Sequence, residues 1–472
     1  MLGHVSNKTS KGGNTVHLLK NRWMISAVVG VLLLGLLAGC ASGTQEAGTD
    51  AEETEGSGES EETATEGESG DISGELEIQY FVGGYGDAWW KEVIADFQEA
   101  YPEVTIVEHA GPNINEEMRT RWISNDPPDV VYIDGAGSSE TQMVEDGQLM
   151  DLTEWAEGIT LADGSLLMDS FIVEPNRHDG KLYTLPLVFD TWGMWYNASL
   201  FEEKGYEVPT DFESWMDTMA EVKDQEGIAP FTTTGQHPYY FLRGVLYPAF
   251  ASVGGDELLA DLVTGAEGAW TSEPVLEIMK KVERMQQEGM IDEGFAAINH
   301  TQSQMNFLLG QNAFIPVGFW LPNEMANDKP EEFEYGFIPS PMQDPGEPYR
   351  IVPDLRPLAI AEQAENPEAA KAFVEFAFNR DYAVRFSELT GAMINLTEVD
   401  LSANDNVPEY LKTANELIND PEKVQINRLP HPMSADLETP ISDALVALMT
   451  GSTDAEEFTQ RAEEAAANYR NQ

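Results

Sequence analysis

Residues 180–217 read GKLYTLPLVFDTWGMWYNASLFEEKGYEVPTDFESWMD, and this stretch decides the architecture. From Leu185 to Tyr196 the chain favours a strand, with Val188, Phe189, Trp192, Met194, Trp195 and Tyr196 as bulky β-formers. Asp190 interrupts this apolar run. An acid there is costly to bury without a partner, so Asp190 either faces a cleft or carries a structural hydrogen bond. Asn197 ends the strand, and Ser199 to Lys204 form a helical turn closed by Gly205. Pro209 and Thr210 then set up a second helix, with Thr210 or Asp211 as its N-cap.

Upstream, Leu76 to Val82 alternates and is β-rich, a first strand that ends in Gly83-Gly84-Tyr85-Gly86-Asp87. A helix from Ala88 to Tyr101 and a strand from Val104 to Glu108 complete a β-loop-helix-β unit of an open α/β sheet. Ligands of such sheets gather at the carboxyl ends of strands, which marks the 83–87 loop. It lacks the GxGxxG and Walker patterns, so its glycines also fit a plain tight turn. Tyr85 and Trp89 are its candidate ligand contacts; Trp89 and Trp90 leave a helix at different angles, so only one of them can face a cleft. Asp129 to Ile133 is a short buried strand that runs into Asp134 and Gly135.

The order GKLYTLP, apolar strand with internal acid, then WYN and LFEEKGYEVPTDFESW, resembles the extracellular solute-binding proteins of sugar ABC transporters. PPDVVYIDG at 127–135, GQLMDLT at 147–153 and GQNAFIPVGFW at 310–320 add to that resemblance. It implies an α/β, two-lobe periplasmic-binding-protein-like (type II) fold, each lobe an open sheet flanked by helices, with the ligand cleft between lobes. Lobe 1 is expected over 75–188 plus 357–392, and lobe 2 over 189–356 plus 393–472. The strand through Asp190 would be the first crossing and RIVPDLRPLAI, 350–360, the second. GGYGD, PPDVVYIDGAG, TWGMWYNASLFEEKGYEVP and GIAPFTTTGQHPYY further resemble the binding proteins for N-acetylglucosamine and chitobiose.

Sugars present hydroxyl edges and apolar C–H faces, so a sugar site combines aromatic plates with Asp, Asn, Gln and Arg. The candidate loops hold both kinds: Tyr85, Trp89, Trp192, Tyr239, Tyr240 and Trp320, with Asp134, Asp190, Gln236, Asp354 and Arg356. Trp320 reads equally as a core residue, and Asp354 and Arg356 could pair with each other or with Asp190 instead of bracketing a ligand. The composition alone also fits a polyamine or a peptide. The resemblance implies a small oligosaccharide, delivered to the permease subunits of an ABC importer by a monomeric binding protein.

Residues 1–40 carry Lys8, Lys11, Lys20 and Arg22, then an apolar run from Met24 to Leu37, then Leu37-Ala38-Gly39-Cys40. The apolar run is short for a membrane span. The ending resembles a lipoprotein lipobox, which implies that Cys40, the single cysteine, is lipidated and anchors the protein at the extracellular face of the cell membrane. From 41 to 74 the chain is almost entirely Glu, Gly, Ser, Thr and Ala, too poor in apolar bulk to fold, and is expected to be a disordered acidic tether.

The whole chain has 472 residues and a formal charge of −57. About −50 of that belongs to the body beyond the tether. Nucleic acid is excluded as a partner, because phosphates demand a basic face. The acids are spread along the chain, which favours a surface suited to high salt over a cationic ligand. Histidines 109, 178, 237, 300 and 431 are scattered and no second cysteine exists, so no metal or cofactor is expected. GxSxG is absent, and no sequence pattern supports catalysis; a secreted polysaccharide hydrolase is the remaining alternative.

Overall fold

The computed structural model describes residues 72–471. The expected signal segment with Cys40, and the tether as far as residue 71, lie outside the described residues. The tether's last expected residue, Gly74, instead opens the first strand, with φ near +101°.

Six strands form the first sheet: β1 (Gly74–Phe81), β2 (Val104–Gly111), β3 (Val130–Tyr132), β4 (Thr184–Asp190), and, from much later in the chain, Asp354–Ile360 and Met393–Ile394. The second sheet has three strands, β5 (Trp192–Asn197), β6 (Phe314–Gly318) and β7 (Tyr335–Ile338). In chain order β8 (Tyr349–Ile351) follows, then β9 (354–360), β10 (393–394) and β11 (Val424–Ile426), with β8 and β11 paired to each other. The first sheet runs β10-β4-β9-β3-β1-β2 and the second β6-β5-β7. β1, β2 and β3 are parallel, as the β-loop-helix-β reading requires, while β9, β4 and β10 add antiparallel.

The decisive stretch is therefore two strands and not one. Thr191 breaks it, and each half belongs to a different sheet. β8 and β9 make the second crossing, around Val352 and Pro353. The expected lobe limits need three corrections. Residues 189–190 and 354–356 stay in the first sheet, because β4 and β9 pair through Asp190 and Asp354. Met393 and Ile394, assigned to lobe 2, pair with Phe189 and Val188 of β4.

The first core lies beneath the six-stranded sheet and continues onto one face of the second sheet, through Trp195, Ile315 and Phe337. Helix Ala88–Ala100 puts Trp89, Trp90, Val93, Ile94 and Phe97 into it. A separate core behind the second sheet is built from helices 212–226, 247–264, 273–287, 435–449 and 455–470, around Trp215, Phe231, Phe250 and Trp270. Helix Phe212–Glu226 starts at Asp211, whose carboxylate accepts from Ser214 N at 2.9 Å while the Ser214 hydroxyl caps back, and ends at Gly227 in the left-handed region.

Candidate functional site

Strand alternation assembles the charged half of the site. Asp190 sits opposite Asp354 and Val188 opposite Arg356 across the β4–β9 ladder. Opposed residues, and residues two apart, share one face of a sheet, so Asp190, Asp354 and Arg356 emerge together where the chain leaves the first sheet. Asp134 joins them from the loop after β3. The Arg356 guanidinium meets all three acids: Nε lies 3.1 Å from Asp134 Oδ1, Nη2 3.1 Å from Asp190 Oδ2, and Nη1 3.0 Å from Asp354 Oδ2. Tyr85 donates its hydroxyl to Asp190 Oδ1 at 2.7 Å. Asp134 Oδ1 also accepts from Gly135 N at 2.7 Å.

Asp190 is 0% exposed. Burial pushes its carboxyl up to about 7, with Arg356 and the Tyr85 hydrogen bond pulling the other way and Asp354 and Asp134 adding to the rise. Burial also raises Asp134. The Tyr85 hydroxyl is held well above its ordinary range by burial and then by Asp190, so it stays a donor.

The aromatic half comes from the second lobe. Trp192, the first residue of β5, is edge-on to Trp320 at 4.6 Å and to Tyr240 at 5.0 Å between ring centroids. Tyr239 lies 5.1 Å from Tyr240, and His300 stacks on Tyr240 at 6.1 Å. The buried indole N–H of Trp192 has no acceptor.

The two halves touch. Gly84 of the first-lobe loop backs onto Trp320 so closely that a Cβ there would stand 2.6 Å from the Trp320 Cβ. Asn323, just after Trp320, donates its side-chain amide to the Gly84 carbonyl at 2.5 Å. The cavity beside Tyr85 and Asp134 has a volume of about 10 Å³, the space of one water. Where Gly84 meets Trp320 and Asn323 the lobes are in direct contact, and a ligand at that place requires them to part.

Of the residues singled out in the sequence, Tyr85, Asp134, Asp190, Asp354 and Arg356 form one bonded cluster, and Trp192, Tyr239, Tyr240 and Trp320 form the aromatic group facing it. Trp89 is a correction. It is 1% exposed, its indole donates to the Tyr382 carbonyl at 2.9 Å, and its ring packs edge-on against Trp90 and Phe386, so it is core. Trp90 is buried too, stacked on Tyr80, and both indoles border only the small cavity beside Tyr85 and Asp134. Gln236 is exposed at the rim, with its amide donating to Ala297 O at 3.0 Å.

Sequence reasoning missed Arg243, Glu438, Asn323 and His300. Arg243 Nη1 lies 3.6 Å from Asp354 Oδ2 and its Nη2 3.3 Å from Glu438 Oε2, which ties the charged cluster to two lobe-2 helices. Arg243 falls in a π-helical turn, Leu242–Leu246, so no α-helical spacing aims it at the cleft. Glu438 comes from almost two hundred residues further along, in a chain crowded with acids, and nothing local marks it.

Residues 83–384 match the family described as bacterial extracellular solute-binding protein. The chain is 24% identical over 325 residues to a diacetylchitobiose binding protein of Streptomyces coelicolor, covering 66% of this chain and 68% of the relative. It is 21% identical over 337 residues to a multiple sugar-binding protein of Streptococcus mutans, covering 70% and 77%. Among solved structures, a chitin oligosaccharide binding protein superposes with a TM-score of 0.65 at 17% identity, over 85% of this chain and 100% of the other. A cyclic alpha-maltosyl-1,6-maltose binding protein from Arthrobacter globiformis gives 0.66 at 18%, with 85% and 100% covered.

Proposed function

The chain belongs to the bacterial extracellular solute-binding proteins, and from that premise we propose that it binds a small oligosaccharide between its lobes. The observation that carries this reading is the pairing of surfaces at the closed cleft. Trp192, Trp320, Tyr239 and Tyr240 on one lobe face Asp134, Asp190, Asp354, Arg356 and Tyr85 on the other side. Aromatic faces suit sugar C–H surfaces, and carboxylates and guanidinium suit hydroxyls. Sugar bridging both lobes stabilises a closed form in which the lobes stand further apart at Gly84 than in this structure. The printed names of the relatives, which include diacetylchitobiose and multiple-sugar binders, support sugar as the ligand and an N-acetylated amino sugar as one candidate.

The closed form delivers its ligand to membrane permease subunits encoded as separate chains. Cys40 carries a lipid that holds the protein at the extracellular face, and the acidic segment after it is the tether. Binding and release, without covalent chemistry, is the whole cycle. A second reading has one specific observation in its favour: the cleft sets Asp134, Asp190, Asp354 and Glu438 against only Arg243 and Arg356, which suits a cation such as spermidine.

Calorimetric titration in high salt against chitobiose, diacetylchitobiose, maltose, xylobiose and spermidine tests the proposal. Saturable one-to-one binding of a sugar is the expected outcome. Binding of spermidine alone replaces it with the cation reading.

A further inference from the structure

A polar series runs through an otherwise apolar core of the first lobe. β1 sends Leu76, Ile78 and Tyr80 into the core beneath the six-stranded sheet, and strand alternation turns Gln79 to the other face. On that face Ile114, Met118, Trp122, Val131 and Ile133 belong to a separate apolar cluster, and Gln79 is buried there at 2% exposure. An amide in such surroundings is costly unless it is hydrogen-bonded. The Trp122 indole donates to Gln79 Oε1 at 2.8 Å, and Gln79 Nε2 donates to Asn115 Oδ1 at 3.0 Å. Asn115, itself buried in the first turn of helix Ile114–Ile123, donates Nδ2 to the carbonyls of Asp134 at 2.8 Å and Ala136 at 3.1 Å.

The series therefore ends on the loop that carries Asp134. Its two accepting carbonyls stand on either side of Gly135, and Gly135 and Gly137 both have positive φ, near +80° and +86°. Glycines there have no side chain to restrict them, so the loop takes its shape from its bonds. Ser138 Oγ also donates to the Asp134 carbonyl, at 3.0 Å, but from within the same segment. Asn115 ties the loop to helix Ile114–Ile123 and, through Gln79, to β1. The Asp134 carboxylate in turn meets Arg356 Nε at 3.1 Å.

We propose that Asn115 is a positioning residue for the cleft: held by Gln79 and Trp122, it fixes the Asp134 loop and so sets where Asp134 and Arg356 stand toward a ligand that Asn115 does not touch. This rests on the sugar reading above. Apolar side chains alone would fill this core; a satisfied polar series also gives one loop a unique place. Without the Asn115 amide the loop is free, its ordering is charged to each binding event, and affinity falls.

Calorimetry on the full chain provides the test, with diacetylchitobiose or the tightest binder among the sugars named above. It compares Asn115→Ala, Asp134→Ala and the double variant with the wild type, and melting curves establish that each folds. Asn115→Leu, which fills the space without the amide, is the second variant at that position. Either change at Asn115 is expected to weaken binding roughly tenfold. In the Asp134→Ala background the same change should cost less than about twofold, the spread of independent sites, because the carboxylate it positions is gone. Met118→Ala, a truncation in the same apolar cluster, should lower the melting temperature and leave the affinity at its wild-type value. Equal losses of affinity in both backgrounds overturn the proposal and leave the sugar reading intact, as does wild-type affinity in the Asn115 variants. A crystal structure of Asn115→Leu without ligand gives a readout independent of any sugar: residues 134–137 are expected to shift, and an unmoved loop overturns the proposal. Failure of every sugar to bind the wild type overturns the sugar reading, and with it the effect on affinity.

Discussion

Asp190, Gly84 and Trp320 decide whether the lobes can close on a ligand. Asp190 has both oxygens engaged, one by Tyr85 and one by Arg356. Its replacement by Ala should weaken ligand binding by roughly ten- to a hundredfold, the range for charged hydrogen bonds, with the fold retained. Unchanged affinity by calorimetry removes it from the site. Its titration makes a second prediction. The unfolded carboxyl ionises near its ordinary 3.8 and the folded one at about 7, so the native state holds the extra proton between those values. This group's contribution to stability therefore falls as pH rises from about 4 to 7, and is flat above. Melting temperatures over that range should decline less in Asp190→Asn than in the wild type; identical profiles contradict the assignment. Gly84 has no room for a side chain against Trp320. Gly84→Val should hold the lobes apart and weaken binding without lowering the melting temperature of lobe 1. Trp320→Ala should lose one stacking surface, about 1–3 kcal/mol of binding free energy.

Elements show what the sequence could and could not reveal. The strand–acid–strand pattern around Asp190 was legible because β-formers flank a single acid, and the Asp354–Arg356 pair because it interrupts a second apolar crossing. Gly205 announced its helix end by residue type alone, and of Thr210 and Asp211 the structure makes Asp211 the N-cap. The break at Thr191 was invisible, since a strand that changes sheets keeps its local pattern. Trp89 was misplaced for a related reason: both indoles of that helix are buried, one beneath Phe386 and one against Tyr80, and only the packing partners reveal it. β10 was missed as a sheet member because two residues carry no periodicity. Asp129, the third residue of the PPDVVYIDG phrase, has a structural role instead. Its carboxylate accepts from Glu77 N and Asn366 N, both at 2.8 Å, tying β1 and the helix that starts at Pro367 to β3. Asp129→Ala should destabilise the protein by about 2–4 kcal/mol, because two part-buried amides lose a buried charged acceptor. A chemical denaturation curve within 0.5 kcal/mol of wild type, roughly the effect of an ordinary surface change, would argue against that role.

For the whole molecule, two properties govern behaviour: charge and closure. A formal charge of −57 destabilises any compact state through self-repulsion that salt screens. The melting temperature should rise as ionic strength increases; a salt-independent value contradicts the reading of the surface as suited to high salt. Closure is set by contacts that bridge the cleft, Gly84 with Trp320 and Asn323, and Arg243 with Asp354. The central claim is that the ligand occupies this cleft and is held from both lobes at once. A crystal structure of the chain with its best-binding oligosaccharide tests it most directly. The account predicts a sugar ring against Trp320 and Trp192, with hydroxyls bonded to Asp190 and Arg356 and the lobes further apart than here. Sugar held by one lobe alone, or on an outer face with Asp190 still sealed, would contradict it.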